Sequence, residues 1–180
     1  MRVISGSRRG RKLFSFEGEH IRPTTDRVKE AMFNLIQGKT ADATVFDAFA
    51  GSGALAIEAV SRGASFAVCT DIDERSLGVI RNNFEGCEFS DRCEIVKSTA
   101  CAYLEKTDRR FDLVFMDPPY NKGLVTPVLG VIARRELLTA GGWIVVERDG
   151  TEDTFDLSGF TVEKERRYGR TVITVLSLQR

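Results

Sequence analysis

From Thr44 onward, short apolar runs alternate with stretches whose apolar residues recur every three or four positions, the spacing of one helix face. TVFDAF (44–49) reads as a buried strand and ALAIEAVSR (54–62) as a helix stopped by Gly63. SFAVCTD (65–71) reads as a second strand, with a helix over about 74–84 behind it. CEIVKS (93–98) is a third strand followed by a short helix at 100–106, and FDLVFMD (111–117) is a fourth. After the loop PPYNKG, the pattern predicts a helix over about 124–134 and a fifth strand over GWIVVER (142–148). FTVEKERRY (160–168) and TVITVLSL (171–178) are two more strand-like runs, joined at Gly169-Arg170 as a hairpin would be. Near the start of the chain, Thr24 or Thr25 can cap a helix in which Val28, Ala31, Met32, Leu35 and Ile36 share one face and which Gly38 ends. Residues 1–23 read only as short extended pieces.

Strands that alternate with helices imply a parallel sheet with helices on both faces. The expected fold class is α/β: a seven-stranded, mostly parallel sheet with a closing antiparallel hairpin and a short basic N-terminal extension. That pattern describes the class I methyltransferase variant of the Rossmann-like fold. A chain of 180 residues suits one well-buried domain. It is expected to span 1–180, with 1–40 as an N-terminal extension and helix and 41–180 as the Rossmann-like core. In such sheets ligands bind beyond the carboxyl ends of the strands, so candidate chemistry is sought there.

Charge and composition narrow the partners. Lys plus Arg and Asp plus Glu both number 26, so the chain as a whole is no polycation. Yet residues 1–12 carry Arg2, Arg8, Arg9, Arg11 and Lys12 with no acid, which suggests an anionic partner at that end; a frayed, solvated arm is the plainer alternative. No apolar run approaches about 18 residues and no signal-peptide pattern is present, so neither membrane insertion nor secretion is indicated and a cytoplasmic location is expected. Cys69, Cys87, Cys93 and Cys101 form no C-x-x-C pair and fit no usual zinc spacing. Reduced, mostly buried thiols and no metal are expected. His20 is the only histidine, which removes most Ser-His-Asp, Cys-His and multi-histidine metal mechanisms.

The first strand runs into Asp47-Ala48-Phe49-Ala50-Gly51-Ser52-Gly53 before a helix opens. Glycine suits a tight strand-to-helix turn that a ligand must approach closely. Asp71 ends the second strand, twenty residues after Gly51, where a carboxylate can accept hydrogen bonds from both ribose hydroxyls of an adenine nucleoside. The plainer reading is an ordinary turn at Gly51 and Gly53, with Asp71 capping the next helix. The loop alone does not choose the cofactor. Gly51-Ser52-Gly53-Ala54-Leu55-Ala56 also satisfies the dinucleotide pattern G-x-G-x-x-A, so NAD is a competitor. Against it stands Asp47, which can help to hold the amino-acid part of a nucleoside–methionine ligand. The lack of a second domain for a hydride-transfer substrate points the same way.

The most specific feature ends the fourth strand: Asp117-Pro118-Pro119-Tyr120. An exocyclic amine is a poor nucleophile while its lone pair is delocalised into the ring. Acceptors that hold its protons favour a pyramidal nitrogen; the Asp117 carboxylate can take one N–H and the Pro118 carbonyl another. Prolines at 118 and 119 fix that backbone and offer no competing N–H. Tyr120 supplies a ring on which the base can stack, a contact worth about 1–3 kcal/mol per base in comparable systems. Methyl transfer from a sulfonium then needs in-line placement more than strong base catalysis, and such orientation can be worth roughly 7–11 kcal/mol. A plain turn after a strand would leave unexplained both the apolar run into these residues and their place two units after the glycine loop.

VFDAFAGSGALAIEAVSRGA, FDLVFMDPPYNKG and above all RPTTDRVKEAMFNLI (22–36) resemble the bacterial 16S ribosomal RNA guanine-N2 methyltransferases, and RVISGSRRGRKL is similar to that family's start. The resemblance covers essentially the whole chain. D-P-P-Y is shared with DNA adenine-N6 and other amino-methyltransferases and gives the class, whereas R-P-T-T-D-R-V-x-E is more particular. The resemblance implies S-adenosyl-L-methionine as cofactor and S-adenosyl-L-homocysteine as product. It implies the exocyclic N2 of a guanine in 16S rRNA as target, in the small ribosomal subunit or its assembly intermediate. Carried over by position, it implies that Asp47, Phe49, Gly51, Ser52 and Gly53 line the methionine and ribose. Asp71 would hold the ribose hydroxyls, with Ile72 and Asp73 near the adenine, and Ser98-Thr99-Ala100 would face the adenine ring. Asp117, Pro118, Pro119 and Tyr120 would form the catalytic loop. Arg22, Thr24, Thr25, Asp26 and Arg27 would sit at the active-site mouth and grip or admit RNA. Relatives often have Asn or Asp where Thr99 stands, and many have Glu in place of Asp71, whose shorter acid can do the same work.

A paired base hides its amine, so the target must be unstacked or in a loop, and extrusion costs roughly a few kcal/mol. The basic arm (Arg8, Arg9, Arg11, Lys12) and Arg22 are expected to bind flanking phosphates without reading sequence, and specificity is expected from folded RNA shape. Arg166, Arg167 and Arg170 read as part of a solvated hairpin. A monomer is expected. Two alternatives stay open: an adenine-N6 or other amino-methyltransferase acting on DNA, protein or another RNA, and a non-catalytic RNA-binding assembly factor. The joint presence of Gly51, Gly53, Asp71 and Asp117 argues against the second.

Overall fold

The computed structural model describes residues 1–15, 25–120, 122–151 and 155–179. After α1 (Asp26–Leu35) come β1 (Thr44–Asp47), α2 (Ala54–Ser61), β2 (Phe66–Asp71), α3 (Glu74–Gly86), β3 (Cys93–Lys97), α4 (Ala100–Leu104), β4 (Phe111–Met116), α5 (Val125–Arg135) and β5 (Leu138–Asp149). The strands β6 (Phe160–Tyr168) and β7 (Thr171–Leu178) follow. Among the described residues the strands form one seven-stranded sheet in the order β3-β2-β1-β4-β5-β7-β6. Strands β1 to β5 run parallel, and β7 runs antiparallel to both β5 and β6. This is the class I methyltransferase arrangement of the Rossmann-like fold, as the alternation of elements predicts.

Each face of the sheet has its own apolar core because successive strand residues point to opposite sides. Leu113, Phe115 and Val145 pack with α1, α2 and α3, whereas Val114, Met116, Ile144 and Val146 pack with α4 and α5. Burial on both sides makes the central strands read as continuous apolar runs. At the sheet edge, β6 is exposed from Thr161 to Arg167. Its charged side chains guard that edge against pairing with another chain. Two strand ends differ from the sequence reading by more than one residue. β1 stops at Asp47 because the chain leaves the sheet there for the glycine loop, and β5 begins at Leu138 rather than 142. Leu138 pairs with Phe111 before a register shift, and Gly141 adopts φ +76°; two glycines at the irregularity hide the earlier part from an apolar pattern.

The N-terminal residues form no frayed arm. Arg2 and Lys12 pair as an antiparallel bridge, Val3 N–H donates to the Arg11 carbonyl at 2.9 Å, and Leu13 N–H donates to that of Met1 at 3.0 Å. Val3 and Leu13 are buried in the core shared with α1, α2 and α3. The pin is the Glu58 carboxylate, which accepts the N–H groups of Ile4 (2.9 Å) and Ser5 (3.0 Å), Arg62 Nε (2.8 Å) and Lys29 Nζ (3.2 Å). Lys29 also donates to the Arg2 carbonyl at 2.5 Å. Burial lowers the Lys29 pKa, while Glu58 opposes that shift. Gly6 (φ +84°) lies so close to α2 that a Cβ there would sit 1.8 Å from the Ser61 carbonyl oxygen.

Arg8 is engaged within the protein: its guanidinium donates to the Cys87 carbonyl at 2.7 Å, pairs with Glu88 and lies over the Phe89 ring. Arg9, Arg11 and Lys12 are exposed. Cys69 and Cys87 are buried and Cys93 and Cys101 half-buried, all four as free thiols. His20, Arg22 and Thr24 lie outside the described residues. Among the described residues, no helix is long and apolar enough to cross a membrane, and no cluster of His, Cys, Asp and Glu could hold a metal ion.

Candidate active site

Side-chain alternation brings acids together at the carboxyl end of the sheet. Asp47 continues the face of Val45, Asp71 that of Cys69, and Asp117 and Glu147 those of Phe115 and Val145. Four of the five parallel strands therefore deliver a carboxylate at or beside their ends, while β3 ends in Lys97. These charges act on one another: Asp117 and Asp71 both raise the Asp47 pKa, and Glu147 and Asp117 both raise that of Tyr120.

Asp47 is buried, and neither carboxylate oxygen has a hydrogen-bond partner. Burial is the main reason that its pKa is pushed up to about 7. The Ala56 and Phe49 amides pull the other way without completing a hydrogen bond of good geometry. A buried, unpartnered acid is costly, and a cation placed against it would relieve the cost.

The glycine loop beside it is held from three directions. Ala48 N–H donates to the Phe115 carbonyl (3.0 Å), Ala50 N–H to that of Thr70 (3.1 Å), and Gly53 N–H to that of Ala50 (2.7 Å). Gly51 (φ +57°) and Gly53 (φ +76°) are left-handed, a region closed to most L residues. A Cβ on Gly51 would meet open space, whereas one on Gly53 would press on Ile80 at 3.2 Å. Gly53 thus answers to packing, and the open side of Gly51 leaves room for a ligand.

Asp71 is half-buried and ties two loops together, accepting Gly51 N–H at 3.0 Å and Asp73 N–H at 2.9 Å. It is Asp73, and not Asp71, that caps α3, through Arg75 N–H at 2.9 Å. Ile72 stands 67% exposed beside this carboxylate, and Phe49 is half-buried. Ser98 N–H donates to the Asp71 carbonyl at 3.1 Å, which brings the end of β3 alongside. The Thr99 hydroxyl caps α4 by accepting Ala102 N–H at 3.1 Å, and Ala100 is buried in the first turn.

In the loop after β4, Asp117 and Pro118 are half-buried and Pro119 is exposed. The Tyr120 hydroxyl donates to Glu147 Oε1 across 3.4 Å and has Thr171 as a further partner. Burial, then Glu147 and Asp117, push the phenol up to about 12, so it stays protonated and keeps donating. Thr25 caps α1 through Val28 N–H at 3.3 Å, Asp26 pairs with Arg2 at 3.1 Å, and Arg27 is exposed.

Two residues of this region escaped the sequence reading. Glu147 is 4% exposed and was legible as an acid closing an apolar strand run, the signal that marks Asp47 and Asp117. Asn83 is 2% exposed on the inner face of α3 and donates to the Ser52 carbonyl at 2.9 Å; a polar residue within an apolar helix stripe was its signal.

A family model described as Conserved hypothetical protein 95 matches residues 1–177. The YlbH protein of Bacillus subtilis is 34% identical over 97% of either chain. The ribosomal RNA small subunit methyltransferase D of Escherichia coli K12 is 35% identical, over 82% of this chain and 71% of that one. The solved structure of the Escherichia coli yhhF protein covers 99% of this chain and 98% of its own at 29% identity, with a TM-score of 0.87.

Proposed function

The chain belongs to the Conserved hypothetical protein 95 family, and from that membership we propose that it transfers a methyl group from S-adenosylmethionine to the exocyclic N2 of a guanine in 16S rRNA of the small subunit. The observation that carries the cofactor reading is the buried, unpartnered Asp47 carboxylate among the acids of the strand ends. A dinucleotide would bring its anionic pyrophosphate to the glycine loop, against Asp47, Asp71 and Asp117. A ligand with an ammonium and a sulfonium brings the opposite charge. The residues therefore fit S-adenosylmethionine and disfavour NAD.

In this reading, Asp47 and the loop from Phe49 through Ser52 to Gly53 hold the amino-acid end. Asp71, whose oxygens each retain a lone pair after accepting one amide, takes the ribose hydroxyls. Ile72 and Ala100 flank the adenine with Asp73 and Thr99 nearby. The Thr99 hydroxyl already caps α4, so its backbone is the better-suited contact. When bound, the cofactor supplies a methyl group activated on a sulfonium. The protein's task is then to present a nitrogen lone pair. Asp117 accepts one N–H of the base amine and the Pro118 carbonyl the other, while Pro119 keeps the turn rigid. Tyr120, anchored through its hydroxyl, offers the base its ring face. Thr25, Arg27, Arg9, Arg11 and Lys12, with Arg22 and Thr24, would meet the RNA around it. The ribosomal target is supported by the name of the Escherichia coli relative, and the choice of guanine by the resemblance of segment 22–36.

The test is transfer of labelled methyl from S-adenosylmethionine to small ribosomal subunits, free 16S RNA and duplex DNA in parallel, with the modified base identified by mass. N2-methylguanine on the ribosomal substrate is the expected product. Methyladenine or label in DNA would overturn the substrate assignment and leave the amine chemistry standing.

A further inference from the structure

We propose that Phe14 is a stacking platform for an unpaired RNA base next to the target nucleotide, fixed beside the cofactor loop by Asn83; this rests on the RNA reading above. The Phe14 ring is 67% exposed, whereas the other described phenylalanines are buried or half-buried. Leaving such a ring in water forgoes the burial that the others gain, and its backbone is nevertheless held tightly. Phe14 N–H donates to Asn83 Oδ1 at 2.7 Å, and the Phe14 carbonyl accepts from Asn83 Nδ2 at 3.0 Å. The residue before it, Leu13, is anchored in the core.

The position of this ring follows from the third bond of the same side chain. Asn83 Nδ2 also donates to the Ser52 carbonyl, so one buried amide joins the backbone of Phe14 to the loop assigned to the cofactor. The Ser52 hydroxyl makes a second tie to this part of the arm, donating to Met1 Sδ at 3.8 Å. Arg11 and Lys12, also exposed, precede Phe14 on the same extended segment. An exposed aromatic ring beside exposed cations is what a single-stranded nucleic acid recognises: the base stacks and the neighbouring phosphates meet the charges. Because the backbone is clamped, the ring is pre-positioned and little ordering cost falls on binding.

The experiment compares F14A, F14L and F14W with the wild type in binding a labelled single-stranded RNA 12-mer and small ribosomal subunits, over a range of salt. F14A and F14L should each weaken binding by about tenfold, and F14W should restore it. The slope of log K against log salt should stay unchanged in all three, since no phosphate contact is removed, while R11Q and K12Q should each make it less steep by about 0.7 on the single strand. Affinity for S-adenosylhomocysteine and the melting temperature should match the wild type in F14A. Wild-type RNA binding in F14A and F14L would overturn the proposal, as would rescue by leucine as well as by tryptophan, or a fall in melting temperature with binding intact. If the wild type methylates ribosomal RNA and F14A does so equally well, the platform alone falls. If the wild type binds neither RNA, the platform and the RNA reading fall together.

Discussion

At the scale of single residues, the proposed roles of Asp47 and Asp117 separate binding from chemistry. The Asp47 pKa is about 7 in the fold against 3.8 as its ordinary value. Between those values the folded protein holds a proton that the unfolded chain has released. Stability of the ligand-free protein therefore falls as pH rises from about 4 to about 7 and is level above that. The full span is worth up to about 4 kcal/mol. Denaturant unfolding of D47N should lack this slope, and a parallel slope in D47N would assign it elsewhere. In the proposed binding mode the cationic end of the cofactor needs the ionised acid, so affinity for S-adenosylhomocysteine should rise as pH climbs from about 6 to about 7 in the wild type and stay flat, and weaker, in D47N. For Asp117 the expectation is the reverse. D117A should lower kcat by about a hundredfold or more through loss of amine activation, with cofactor affinity retained by calorimetry. Normal turnover would remove Asp117 from the mechanism.

At the scale of elements, the N-terminal arm and α2 form one unit through Glu58. All eight residues of α2 are buried, Glu58 among them, because the sheet, α1, α3 and the arm enclose the helix. Glu58→Ala would leave Lys29 buried without its counter-charge and the Ile4 and Ser5 amides without their acceptor. A loss of about 3–5 kcal/mol in denaturant unfolding is expected, together with faster proteolysis within residues 1–13. Unchanged protection of the arm would show that it is held by Val3 and Leu13 alone. Arg8 belongs to the same unit, with partners about eighty positions away at Cys87 and Glu88. The run of N-terminal cations in the sequence shows charge but not these partners, so the reading that gave Arg8 to RNA could not foresee its engagement.

At the scale of the whole molecule, a net charge of zero conceals a separation. Acids gather at the carboxyl end of the sheet, while Arg9, Arg11 and Lys12 stand exposed on the arm that reaches the glycine loop through Phe14 and Asn83. An RNA backbone approaching the acidic ends needs such cations at the rim. Replacing Arg9, Arg11 and Lys12 together by glutamine should flatten the salt dependence of binding to small ribosomal subunits. Arg8→Gln should instead lower stability with the slope kept. Equal effects on the slope would mean that Arg8 leaves Glu88 to meet RNA.

The order of strands and helices was legible because a parallel sheet buried on both faces writes each strand as an apolar run and each turn as a break. The acids closing those runs were legible for the same reason: a charge at the end of a buried strand departs from its surroundings. The α1 face was only partly legible. Val28, Ala31 and Leu35 lie at its half-buried flank, while Lys29 and Phe33 are buried with Met32 and Ile36. An apolar pattern omits a lysine whose counter-charge sits on another helix. What the chain alone determined, then, is whatever depends on neighbours in sequence: the elements, the glycine turn, and the two prolines that stiffen the loop after Asp117. What only the tertiary structure decided depends on distant partners: the burial that raises Asp47, the Glu147 anchor of Tyr120, the capture of Arg8, and the single amide that joins Phe14 to Ser52. Those follow from desolvation and from contacts between segments that the sequence keeps far apart.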